Sequence, residues 1–103
     1  MPHYKFTEQA ERDLEAIIEH TLKNWGQSQA LKYVDGLEAL LGKLALEPSL
    51  GMNQDRIFKD LLSFPYVSHI VYYVKNIDGV TVMRLLHKRM DTKRHFSATQ
   101  KIE

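Results

Sequence analysis

The sequence predicts an α+β fold in which an N-terminal strand and an antiparallel two-helix hairpin pack on a twisted, mainly antiparallel sheet of three to four strands. Two stretches in the first half carry apolar residues every three or four positions, the period of an amphipathic helix. Two later runs rich in β-branched and aromatic residues flank an Asp78-Gly79 pair, a strong hairpin signal because Gly reaches positive φ without a Cβ clash. One face of this sheet is the only large surface on which both helices can bury their apolar sides.

The length and composition are typical of one small globular domain. We expect a single domain over residues 1–103, with residues 97–103 as a candidate flexible tail. The chain has no Cys, which excludes disulfides, thiolate metal sites and a Cys nucleophile. The N-terminus lacks the apolar segment of a secretory signal, and no apolar run approaches the roughly 20 residues that span a bilayer. We therefore expect a cytoplasmic protein with no membrane segment.

The net charge is only +1, but positive charge is concentrated at the C-terminal end. Residues 1–50 carry five Lys and Arg against eight Asp and Glu, whereas residues 80–103 carry six against two. A solvated basic tail is one interpretation. The other is a basic end that binds an acidic partner or nucleic acid.

The first half of the chain predicts one short strand and the first helix. Residues 4–6 alternate between apolar and polar side chains and are a candidate edge strand. Thr7 is a candidate N-cap, followed by acidic residues in the first turn, where the helix dipole favours negative charge. The apolar spacing predicts a helix over residues 8–24, which Gly26 ends.

A second helix is predicted to start near residue 27 or 28 and to stop at Pro48, so that a short link makes the helices antiparallel. Gly36 and Gly42 lie inside it, and we expect both to allow close packing against the first helix or the sheet.

The second half predicts a loop followed by a three-stranded meander. Residues 48–55 are polar and are assigned to the loop, and residues 56–64 to a strand with or without a bulge. Pro65 has no N–H to donate to a ladder, so a turn or bulge is expected there. The hairpin strands are residues 67–76 and 79–88. Both faces of the last strand are mostly apolar, which predicts either a strand buried on both faces or one face that lines a partner-binding groove.

One dense cluster of polar functional groups stands out, and it begins where the last strand ends. The sequence contains no HExxH motif, Gly-rich phosphate loop or serine nucleophile elbow, so we expect no metal site and no cofactor. The cluster consists of His87, Lys88, Arg89, Asp91, Lys93, Arg94 and His95.

Two histidines and the single tryptophan each have two interpretations. His69, in mid-strand, is either a core-edge side chain bonded to a neighbour or a groove residue opposite the basic strand end. His87 either makes a structural hydrogen bond or takes part in catalysis. Trp25, at the end of the first helix, is expected to cover the core rather than to serve as an exposed anchor.

The charged residues near the last strand also have competing roles. Arg84 lies inside the strand, where a buried guanidinium needs a carboxylate or carbonyl partner. Asp91 is expected to pair with Arg84, Arg89 or Arg94 and to order the turn after the strand. Arg89 is either a solvated rim charge or a clamp for phosphate or carboxylate, which a guanidinium binds with two hydrogen bonds.

The ordered set of segments resembles the ParE toxins of the RelE/ParE toxin–antitoxin superfamily. Most of the chain takes part, through YKFTEQAERDLEAIIEHT, GQSQALKYVDGLEALLGKLALEPSLG and SHIVYYV. The most specific part is VMRLLHKRMD followed by KRHF, in which Arg84, His87, Met90 and Asp91 have a spacing characteristic of ParE-like members.

The resemblance implies a small RelE/ParE-like toxin that poisons DNA gyrase and forms a hetero-oligomer with a small, usually acidic, ParD-like antitoxin. The antitoxin, rather than this chain, is expected to bind operator DNA, and it lays a helical or extended segment over a groove on the toxin. We assign target binding to basic residues at the end of the last strand and immediately C-terminal to it. These residues are Arg84, His87, Lys88, Arg89, Lys93, Arg94 and His95.

The resemblance also leaves ribosome-dependent mRNA cleavage as an alternative, because RelE-type nucleases share the fold. Their functional positions correspond approximately to His69, Arg89 and His95, which would supply acid–base and electrostatic catalysis. Two departures place gyrase inhibition first: His69 stands where those nucleases use a basic residue such as Arg, and the acidic Asp91 would oppose a phosphate clamp. A non-toxic member that only binds an antitoxin is the third alternative.

Overall fold

The computed structural model describes residues 3–89, in which two helices pack on a five-stranded mixed sheet. The predicted α+β class is confirmed, and the sheet is larger than the three to four strands predicted. None of the helices in the described range is long and apolar enough to cross a membrane. The elements are β1 (His3–Phe6), α1 (Glu8–Trp25), α2 (Gln27–Leu46), β2 (Met52–Asn53), β3 (Leu62–Tyr66), β4 (His69–Asn76) and β5 (Gly79–His87).

The sheet order is β1-β5-β4-β3-β2, with β1 parallel to β5 and every other pair antiparallel. The first strand therefore pairs with the last, and β5 lies inside the sheet along its first half. The unpredicted extra strand is β2, a two-residue edge strand within the expected loop.

The N-terminus of α1 is fixed to β5 by Thr7. The Thr7 hydroxyl accepts a hydrogen bond from the Ala10 N–H (3.1 Å) and donates one to the Met83 carbonyl (2.9 Å), so the predicted N-cap also binds the sheet edge. Gly26, at φ +90°, ends α1 and connects it directly to α2.

The main core lies between the helices and one face of the sheet. Leu37, Leu41 and Leu44 of α2 are at most 2% exposed and pack in one cluster with Tyr73 of β4 and with three apolar residues of β5. Gly36 packs against the Tyr66 hydroxyl, as predicted, because a Cβ at this position would collide with it. The same expectation is wrong for Gly42, since nothing lies within 4 Å of a Cβ built there.

The other face of the sheet is covered by residues 54–61, and β5 is buried on both faces. Val80, Val82 and Leu85 pack towards the helices, whereas Met83 and Leu86 join a second cluster on the opposite face. A bulge makes this possible, because the register shifts where Tyr72 pairs with Arg84 and Tyr73 with Val82. This decides between the two predictions for the last strand in favour of burial on both faces.

The predicted strand over residues 56–64 is wrong for its first part, because residues 56–61 form turns. Their N–H groups bond locally: Ile57 and Phe58 donate to the Gln54 carbonyl, and Leu61 donates to the Phe58 carbonyl. The strand begins only at Leu62.

The predicted interruption at Pro65 is also wrong. Pro65 lies within β3 and pairs with Ile70 of β4, and β2 pairs only with Leu62 and Ser63. The missing N–H of Pro65 therefore disrupts no ladder on the outer side of β3.

The β4–β5 hairpin is confirmed. Asn76 pairs with Gly79, so Ile77 and Asp78 are the two loop residues, as the predicted strands over residues 67–76 and 79–88 require. Gly79 has φ +150°, and a Cβ there would collide with the backbone of His3 in β1. Gly79 is thus required by the close approach of β1 as well as by the turn.

Candidate functional site

A groove of about 720 Å³ opens between the helices and one end of the sheet. Its walls are the inner face of α1, the first turns of α2, the β3–β4 turn (Val67 and Ser68) and the end of β5. The imidazoles of His20, His69 and His87 line it, and we call it the histidine groove.

Two large apolar side chains border the histidine groove and are open to solvent. Trp25 is 73% exposed at the helix side, and Val67 is 66% exposed at the β3–β4 turn. The expectation that Trp25 covers the core is wrong. Trp25 is the last residue of α1, and its side chain borders the groove instead of entering the helix–sheet interface.

The imidazoles of His69 and His87 contact each other across the β4–β5 ladder. The two residues are paired in register, and their ring centroids are 5.5 Å apart at an interplanar angle of 82°. The Tyr33 hydroxyl lies 3.4 Å from His69 Nδ1. Burial, together with the nearby His87 and His20, lowers the pKa of His69, while Asp13 opposes the shift. His69 is therefore a neutral groove residue at neutral pH, and its structural and groove interpretations both apply.

The carboxylate of Asp13 also lines the groove, but it is neutralised by Arg84. Asp13 Oδ2 accepts from Arg84 Nε (2.8 Å) and from the Leu85 N–H (3.0 Å), and Asp13 Oδ1 accepts from Arg84 Nη2 (3.1 Å). The side chains of Arg84 and Asp13 are only 13% and 16% exposed. The groove therefore presents mainly imidazoles and apolar surface.

Sequence comparison assigns the chain to a known family. The family model for the ParE toxin of type II toxin–antitoxin systems (parDE) matches residues 4–92. This chain belongs to the ParE toxin family.

Individual relatives of this ParE-type toxin cover nearly the whole chain. Toxin ParE1 of Caulobacter vibrioides is 27% identical over 95 residues, which cover 92% of this chain and 98% of the relative. Toxin ParE1 of Mycobacterium tuberculosis is 31% identical over 93 residues, which cover 89% and 95%. The resemblance deduced from the sequence segments is thereby confirmed.

A solved structure has the same fold. The chain superposes on a chain of the chromosomal ParDE toxin–antitoxin system from P. aeruginosa with a TM-score of 0.68 and 19% identity. The match covers 84% of this chain and 96% of that one. It confirms the two-helix and sheet architecture of the ParE-type toxin.

The structure of the ParE-type toxin describes four of the seven predicted target-binding residues, Arg84, His87, Lys88 and Arg89. Arg84 is engaged by Asp13, while His87 borders the groove and accepts a hydrogen bond at Nδ1 from the Arg89 N–H (3.1 Å). Lys88 and Arg89 are exposed directly after β5. Outside the described residues lie the candidate tail, Asp91 with its predicted structural pairing, and Lys93, Arg94 and His95. Target binding by the whole set stays a prediction.

Sequence reasoning missed Asp13 and Tyr33 as parts of the groove. A signal for Asp13 was present, because it lies on the apolar stripe of α1 between Ala10 and Ile17, where a charge requires a partner. Tyr33 gave no such signal, since a Tyr on a buried helix face is ordinary.

The histidines of the groove do not form a metal site within the described range. Among residues 3–89, no three His, Asp or Glu side chains are placed so that they could hold a metal ion together.

Proposed function

We propose that this ParE-type toxin acts in the cytoplasm by binding and inhibiting DNA gyrase. We also propose that a ParD-like antitoxin neutralises it by binding in the histidine groove, through a segment that carries both apolar and acidic side chains. The observation that carries the antitoxin proposal is the groove itself, with its exposed apolar rim and imidazoles and its neutralised carboxylate.

The chemistry of the groove favours a partner segment with apolar anchors and acidic side chains. Trp25 and Val67 offer apolar surface that solvent now covers, and burying such surface is the main favourable term in association. Asp13 is bound to Arg84, so it would not repel a carboxylate. Lys88 and Arg89, exposed directly after β5, complement negative charge.

The antitoxin proposal is tested with the protein encoded by the reading frame that adjoins this toxin's gene, by calorimetric titration. Trp25→Ala should weaken the affinity by about 30-fold or more, because truncating a buried aromatic anchor typically costs roughly 2–4 kcal/mol. Ile77→Ala is the matched control, since Ile77 is 99% exposed at the β4–β5 turn and outside the groove. Equal losses in both variants would contradict the assignment of the groove.

The gyrase proposal is supported by family membership and by the exposed cations of Lys88 and Arg89, which directly follow a strand anchored within the sheet. Purified toxin should block ATP-dependent supercoiling by gyrase. The double variant Lys88→Ala/Arg89→Ala should need about tenfold more protein for the same inhibition, since each cation contributes a charge-assisted contact. Lys75→Ala, at an exposed lysine of β4, should inhibit as the unmodified protein does. Gyrase that is unaffected by the unmodified toxin would refute the proposal.

Ribosome-dependent mRNA cleavage is the second candidate, and one observation favours it. The neutral imidazole of His69 lies beside His87 and Tyr33 in an open groove, and a neutral imidazole can accept a proton. If this candidate is right, expression should leave translation-dependent cuts in mRNA, His69→Gln should remove them, and gyrase should supercoil DNA normally. Intact mRNA during toxicity would exclude it.

A further inference from the structure

The β3–β4 turn holds a valine in a backbone conformation that valine rarely adopts. Val67 has φ +55°, and the only other non-glycine residue at positive φ in the described range is Asp60, at +66°. Asp enters the left-handed region with little difficulty because its short polar side chain bonds locally, whereas a β-branched side chain collides with the backbone there. Val67 is thus a true outlier.

The geometry of the turn makes glycine the preferred residue at this position. Tyr66 pairs with His69, so Val67 and Ser68 form a two-residue loop with positive φ only at its first residue. This is the sign pattern of a type II′ turn, which favours Gly at the first central position. Packing does not compensate, since the Val67 side chain is 66% exposed.

What the position does provide is an apolar side chain at the rim of the histidine groove. Val67 borders the groove from the sheet side, and Trp25 borders it from the helix side. Strained backbone conformations that local packing does not explain are concentrated at binding and catalytic sites.

We propose that Val67 is an apolar anchor for the acidic antitoxin segment. The strained backbone conformation of Val67 lowers the stability of the fold, and the apolar contact with the antitoxin is the reason that a valine stands there. This rests on the antitoxin-binding function proposed above for the groove. The occupant is the same segment of the antitoxin, whose acidic residues would lie beside the exposed Lys88 and Arg89 and whose apolar side chains would fill the space between Val67 and Trp25.

The proposal predicts that one substitution changes stability and binding in opposite directions. Val67→Gly relieves the turn and should raise the Tm by about 4–8 °C, a shift that one relieved local strain can produce in a domain of this size. It also removes the apolar side chain and should weaken binding of the adjoining-gene antitoxin by about tenfold. Val67→Asn, which also tolerates positive φ, should change both quantities in the same directions.

Two controls separate strain from apolar contact. Val67→Thr keeps the branched Cβ and therefore the strain, so the Tm should stay within about 2 °C, while the affinity should fall because the side chain becomes polar. Asp60→Gly relaxes the other positive-φ residue, which is exposed and outside the groove, and should leave the affinity unchanged.

Val67→Gly and Val67→Asn variants that bind as tightly as the unmodified toxin would overturn the proposal, and so would variants with no gain in Tm. If the unmodified toxin does not bind the antitoxin at all, the proposed function fails. If Val67→Gly and Val67→Asn still raise the Tm in that case, the strain at Val67 is real and only the assignment of the binding partner is wrong.

Discussion

Replacing Asp13 by Ala should destabilise this toxin more than any exposed charge substitution, because it leaves a guanidinium unpaired inside the fold. Asp13 accepts three hydrogen bonds, two from Arg84 and one from the Leu85 N–H, at 2.8–3.1 Å. Residues 83–87 of β5 extend beyond β1, so the Asp13 carboxylate occupies a sheet edge that β1 leaves open.

The expected loss follows from the burial of the pair. Arg84 and Asp13 are 13% and 16% exposed, so solvent can replace little of the lost pairing. Removing one partner of a buried ion pair costs roughly 3–5 kcal/mol, and the residual exposure places this pair at the lower end. A loss of about 3 kcal/mol corresponds to a fall in Tm of about 12–24 °C for a domain of this size.

Urea denaturation followed by far-ultraviolet circular dichroism measures this loss directly. Glu15→Ala is the matched control, because Glu15 is an exposed carboxylate on the same helix and its removal should change the unfolding free energy by less than about 0.5 kcal/mol. Arg84→Met in the Asp13→Ala background should recover part of the loss by removing the unpaired charge. It should not recover all of it, since the Leu85 N–H still lacks its acceptor.

A measured loss below about 1 kcal/mol for Asp13→Ala would refute this reasoning, since that is the range of solvent-exposed pairs. Failure of Arg84→Met to recover any stability would show that the missing acceptor of Leu85, rather than the charge, dominates the loss.

Two further perturbations test the core and the groove. Gly51→Ala should lose about 1–3 kcal/mol of unfolding free energy, because the new Cβ would collide with the buried Tyr73 hydroxyl, which donates to the Pro48 carbonyl. Gly42→Ala, with open space at its Cβ, should instead gain up to about 1 kcal/mol, and equal signs for the two in urea titrations would contradict the packing argument. Because the pKa of His69 is lower in the folded protein, the unfolded chain binds a proton at this residue more readily than the folded protein does. The free energy of unfolding should therefore fall as the pH drops below the ordinary value of 6.5, and it should level off below the folded-state pKa. His69→Gln should flatten the Tm profile below the ordinary histidine pKa of 6.5, and an unchanged profile would assign the effect to other groups.

The helices and the β4–β5 hairpin were predictable because their patterns are local. The apolar spacing of α1 and its Thr7 cap gave its boundaries to within one residue at the C-terminal end. The family was predictable too, since the matching segments extend over most of the chain.

The errors arose where tertiary contacts override local pattern. Residues 56–61 have strand-like composition, but their N–H groups bond within the turn that covers the second apolar cluster. Pro65 was misjudged because an interruption is required only where both sides of a strand are paired. The exposure of Trp25 and the strain at Val67 depend on how α1 and the β3–β4 turn are arranged around the groove. The spacing of residues in the sequence does not predict this arrangement.

The pairing of β1 with β5 links two segments more than 70 positions apart in the chain, since His3 lies opposite Gly79. During translation, residues 3–6 emerge long before any sheet neighbour exists for them. They stay unpaired until the final hairpin leaves the ribosome. Lys88 and Arg89 follow that hairpin immediately, so the basic end of the molecule and the scaffold that holds it are assembled in a single late event. A chain stalled before Gly79 would contain the residues of both helices but neither the strand that pairs with β1 nor the basic residues that follow it.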